Sequence, residues 1–92
     1  MTSAIFLKKI GDTINTIKYR LMALENCIKA ADDLPDLFES DIAPYNEKVG
    51  RAYKTAGQYE RANEYFRQAS EKYRELGNEK QAQANLNEII DI

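Results

Sequence analysis

Apolar residues in the first third of the chain fall at Leu7, Ile10, Ile14, Ile17, Leu21, Leu24, Ile28 and Ala31, three and four residues apart in turn. Side chains at those intervals share one face of an α-helix. The seam lasts about three and a half heptads, the pattern of a helix that meets another helix. It predicts one long helix over 3–34, with Thr2 or Ser3 to cap its start. Gly11 is the weak point inside, costing about 1 kcal/mol relative to Ala. Pro35 forces an end just before it. The pattern then breaks at DDLPDLFESD, residues 32–41, which reads as a solvated acidic connection. Asp41 suits an N-cap and Pro44 suits the first turn of the next helix.

Helical spacing resumes with Tyr45, Val49, Ala52 and Tyr53, predicting a helix over 42–56. Gly57 ends it, because glycine accepts positive φ. Tyr59, Ala62, Phe66, Ala69, Tyr73 and Leu76 repeat the three-four spacing and predict a helix that stops before Gly77. Asn78 followed by Gln81 is a capping signal for a last helix over 79–91, with Ala82, Leu86, Ile89 and Ile90 on its apolar face. Nothing alternates with period 2. The chain reads as a single all-α domain, 1–92, of about four helices.

Composition narrows the chemistry. The 92 residues carry a formal net charge of −2 and no histidine. An acidic balance argues against nucleic acid as a partner, since phosphate binding needs a basic surface. Cys27 is the single cysteine, so neither an intrachain disulfide nor a Cys/His zinc site can form. It reads as a small buried hydrophobe. Without histidine the commonest general base is missing, and no carboxylates, lysines or tyrosines converge in a recognisable site. The expectation is therefore no enzyme and no cofactor. No signal-peptide core or membrane-spanning run is present, which predicts a cytoplasmic chain. Charge is unevenly placed: residues 1–31 hold five bases and two acids, and residues 32–47 hold six acids and no base.

The stretch GRAYKTAGQYERANEYF, residues 50–66, carries a more specific signal. Gly50 inside a helix is costly unless a bulky neighbour needs the room. Val49-Gly50, Tyr53, Gly57, Tyr59, Ala62, Phe66 and Ala69 stand at the intervals of the tetratricopeptide repeat, a helix–turn–helix unit of about 34 residues. Residues 43–76 resemble one full repeat. Asn46 stands at its first aromatic position, Ser70 at its usual Leu and Arg74 at its closing Pro. Residues 79–92 resemble the first helix of another repeat, with Leu86-Asn87 falling 37 residues after Val49-Gly50. The first helix resembles a degenerate second helix of a preceding unit. Shifted by 42, Ile17, Leu24, Cys27, Ala31 and Leu34 fall on Tyr59, Phe66, Ala69, Tyr73 and Leu76, and Arg20 falls on Ala62.

The resemblance implies helical hairpins of tetratricopeptide type and a non-catalytic protein–protein interaction module. It places a partner-binding groove at Glu47, Arg51, Lys54 and Thr55. Glu47 stands where the carboxylate-clamping subclass has lysine, so that ligand is not expected. The bland reading of the same four residues is a solvated face with a Glu47–Arg51 pair. The 32 residues of the first helix span about 48 Å, longer than the repeat helices, and the overhang is apolar. This predicts self-association as a homodimer through Leu7, Ile10, Ile14, Ile17 and Leu21. Alternatives are a purely structural self-assembly subunit, and a membrane-surface helix over 4–20. Asp12 interrupts the basic face of the latter and argues against it.

Overall fold

The computed structural model describes the backbone of residues 2–91 and the side chains of residues 11–91. Five α-helices follow one another: α1 (Thr2–Asp33), α2 (Pro35–Phe38), α3 (Ile42–Thr55), α4 (Tyr59–Glu75) and α5 (Glu79–Glu88), with a 3₁₀ turn at Glu39–Asp41. The class is all-α, and no strand occurs among the described residues. Each long helix packs mainly on the next long one, α1 on α3, α3 on α4 and α4 on α5. The molecule measures 50 × 30 × 16 Å. Its longest dimension is thus that of α1 alone, about 48 Å for 32 residues.

The core gathers Ile17 and Leu24 from α1, Val49, Ala52 and Tyr53 from α3, and Ala62 and Phe66 from α4. Small residues let the helices approach and aromatic rings fill the space beside them. The room expected at Gly50 is taken by Phe66: a Cβ on Gly50 would lie 3.1 Å from two atoms of that ring. The two tight turns are built alike. Gly57 and Gly77 both have φ +80°. The amide of Gln58 donates to the Tyr53 carbonyl (2.9 Å), and that of Asn78 to the Tyr73 carbonyl (2.8 Å). These are paired Schellman closures, each made possible by a glycine in the left-handed region.

Four details depart from the sequence reading. The acidic connection is wound rather than open. Leu34 is its one non-helical residue, because Pro35 starts α2 at the first helical position. Asp41 makes no capping bond; the 3₁₀ turn before it feeds directly into α3, and the Ile42 amide is taken by the Glu39 carbonyl. Tyr59 is exposed rather than packed into the hairpin. The ring that stacks on Tyr53 is Tyr65, with centroids 5.6 Å apart. Finally, α5 stops at Glu88 instead of reaching 91. Ile89 turns extended, and the Asn63 side chain holds Ile90 from both sides. Asn63 Nδ2 donates to the Ile90 carbonyl (2.7 Å), and the Ile90 amide donates to Asn63 Oδ1 (2.9 Å). Two bonds to a side chain replace the helical bonds that would have continued α5.

Candidate functional site

The residues Glu47, Arg51, Lys54 and Thr55 lie along α3 at spacings that share one face. The structure does bring this face to a neighbour, and the neighbour is α5. Glu47 accepts a hydrogen bond from Asn85 Nδ2 (2.8 Å) and pairs with Arg51 (3.3 Å). Lys54 pairs with Glu88 at 2.8 Å. The Thr55 hydroxyl turns back to the Arg51 carbonyl (3.0 Å). All four groove positions thus have partners within the chain, and Arg51 keeps 60% of its side chain exposed. Around it lie the Glu47 carboxylate and the half-buried Tyr73 phenol, whose pKa is raised by partial burial and by Glu47.

The hydrogen bond from Lys54 holds the Glu88 carboxyl below its ordinary value of 4.5. A depressed folded-state pKa stabilises the fold fully above that ordinary value, and the contribution is lost as pH falls through the folded value. Both side chains are more than a third exposed, so the gain is only a few tenths of a kcal/mol. Lys54→Met is expected to return Glu88 toward the ordinary range and to flatten this part of the acid limb. A carbon-detected NMR titration of the Glu88 carboxyl reads it directly.

The second surface belongs to α1. Its buried line runs through Ile17, Leu24, Cys27 and Ala31, and Arg20 Nη1 ties it to the Lys48 carbonyl (2.8 Å). Ile17 therefore serves the chain's own core and is not free for self-association, and Leu21 is half-buried at the core's edge. Ile14 at 59% and Ile28 at 42% stay exposed. Leu7 and Ile10, the remaining members of the expected self-association set, lie outside the residues whose side chains are described. Cys27 lines a cleft of about 420 Å³ with Ala30, Phe38 and Tyr45. Its thiol donates to the Phe38 carbonyl (3.6 Å), and burial pushes its pKa up, so it is a poor nucleophile.

Among the described residues, no group of three or more His, Cys, Asp or Glu could hold a metal ion. No described helix is long and apolar enough to cross a membrane. No family model matches the chain, and comparison with curated proteins and with solved structures finds no similar protein.

Two contributors escaped the sequence reading. Asn63 and Asn85 are both buried, and each ties α5 or its end to the preceding hairpin. The available signal was polarity itself. An asparagine within a helical apolar pattern needs a partner, since an unpaired buried amide costs about 1–3 kcal/mol.

Proposed function

We propose that this chain is a non-catalytic protein–protein interaction module built of tetratricopeptide-like hairpins, in which α3, α4 and α5 form the body and α1 a contact element. The observation that carries this reading is the apolar outer side of α1. Ile14, Tyr19, Met22 and Ile28 are 42–67% exposed along one helix, Ile14 and Ile28 on the same flank, and uncovered apolar surface of that kind marks an interface. The charged edge of α3 supports a second contact, with Arg51 held by Glu47 and projecting to solvent beside α5.

The two surfaces can be tested apart. Arg51→Glu reverses the one groove charge that is largely exposed. It leaves the Lys54–Glu88 pair in place, which a change at Lys54 would not. Loss of a captured partner in Arg51→Glu, with the thermal melt unchanged, places recognition on the α3–α5 edge. Capture unchanged in Arg51→Glu but lost in Ile14→Lys places it on α1. Capture by neither surface, or capture indifferent to both changes, removes the reading.

A further inference from the structure

The heptad seam of α1 splits into two lines once the fold is formed. Ile17, Leu24 and Ala31, seven residues apart, face the chain's own core. Ile14, Leu21 and Ile28, also seven apart, run along the flank. On that flank they alternate with Lys18 and Glu25, so Ile14, Lys18, Leu21, Glu25 and Ile28 form a seam of their own with spacing four, three, four, three. Ile14 and Ile28 are exposed, Leu21 is half-buried, and Lys18 and Glu25 are exposed. Among the described residues neither Lys18 nor Glu25 has an ion-pair partner.

The order apolar, base, apolar, acid, apolar reads as its own complement when reversed. Laid antiparallel about Leu21, a second copy sets Ile14 opposite Ile28 and Leu21 opposite its own image. The same placement brings Lys18, which falls opposite position 24, within one residue of Glu25 and so in reach of its long side chain, twice, once in each direction. A parallel pairing in register would instead put Lys18 against Lys18 and Glu25 against Glu25. The rest of the chain has the same polarity. In the antiparallel register positions 9 and 10 run beside Asp33 and Asp32, the last turn of α1, and the residues before them extend toward the elbow at Leu34. The N-terminal part with its excess of bases is thereby set against the acidic connection, where Leu34 and Leu37 are 52% and 65% exposed.

We infer that the flank of α1 binds a second copy of this chain in an antiparallel, two-fold arrangement centred on Leu21, with Lys18 paired to Glu25 across the axis. This rests on the interaction-module reading and names the partner of one of its surfaces. The apolar residues supply the affinity. The exposed charge pairs, individually weak, select orientation and register. A two-fold contact of this kind uses one patch on both copies and closes at the dimer.

Charge exchange tests the register without touching the core. Sedimentation should show a concentration-dependent dimer for the full chain. Lys18→Glu alone, or Glu25→Lys alone, creates two like-charged pairs and should raise the dissociation constant about tenfold or more. The double variant Lys18→Glu/Glu25→Lys restores both pairs and should dimerise like the parent. An equimolar mixture of the two single variants should form a heterodimer. Both positions are exposed, and circular dichroism melts taken below the dimer dissociation constant should coincide for all four chains. A parent that stays monomeric at high micromolar concentration overturns the pairing, and so do single variants that dimerise as well as the parent. A monomer that sediments with phosphatidylserine vesicles overturns it in favour of a membrane surface. Partner capture through Arg51 by a monomeric chain would sink the pairing while leaving the module reading intact.

Discussion

Phe66→Ala is expected to remove about 3–5 kcal/mol of stability. Phe66 is 0% exposed and belongs to the cluster that joins α1, α3 and α4. Removing its ring deletes the apolar burial and leaves a cavity. The wall opposite the ring is Gly50, which has no side chain to relax into the gap, so the loss should fall toward the upper end of that range. A domain of this size has a total stability of about 5–14 kcal/mol. Equilibrium unfolding in urea would then show a large fall in midpoint at an unchanged slope. A loss under about 1 kcal/mol would mean that the ring is not the hub of the core. The same contact can be approached from its other side. Gly50→Ala gains about 1 kcal/mol of helix propensity yet places a methyl 3.1 Å from the buried ring. Because Phe66 cannot retreat, the balance should be destabilising. It should improve when combined with Phe66→Leu, a coupling that a double-mutant cycle measures.

Asn63→Leu is expected to release the chain after Glu88 and to cost about 2–3 kcal/mol. Leucine keeps the volume and loses both polar contacts. The Ile90 amide and carbonyl, held at 2.9 and 2.7 Å, then have no protein partner, and each half-buried group without one costs about 1–3 kcal/mol unless water reaches it. Ile89 follows, because it packs on the core only while the extended backbone is held. Hydrogen exchange separates this from a general loss of stability. The Ile90 amide should lose its protection by more than the amides of α3 and α4 do. Equal changes everywhere would show that the clamp merely adds to a single cooperative unit.

The helices were legible in the sequence because their apolar spacing, glycines and prolines all point the same way. The limits of α3 and α4 agree with the reading to within a residue. The sides of α1 were not legible. A strict seven-residue repeat drifts by about 20° per heptad on a straight helix, and the buried line passes to Cys27 while Ile28 is left outside. Spacing alone shows that a seam exists, not which of its two edges the chain covers itself. Tyr59 and Tyr65 illustrate a related limit. Both are tyrosines near the start of α4, and only packing reveals that Tyr65 meets the Tyr53 ring. The end of α5 was hidden for a different reason. Ile89 and Ile90 have good helical spacing, yet the partner that draws them away is an asparagine 27 residues earlier, and it binds backbone atoms common to every residue. Glu47, Arg51 and Lys54 share one face of α3 as their spacing implies, but the engagement of that face by Asn85 and Glu88 depends on where α5 lands.

The winding of the acidic connection bears on how α1 can move. Between Asp33 and Ile42 only Leu34 lies outside a helical turn, and Glu39 is anchored to Lys72 of α4. The joint is therefore a short elbow with no slack. For α1 to leave its own hairpin and settle on that of another molecule, the chain would have to swing about Leu34 alone and give up the Cys27 contact to the Phe38 carbonyl. Exchange of α1 between molecules is accordingly disfavoured by the joint itself. With one residue of joint, the direction of α1 is inherited from the elbow rather than chosen on encounter.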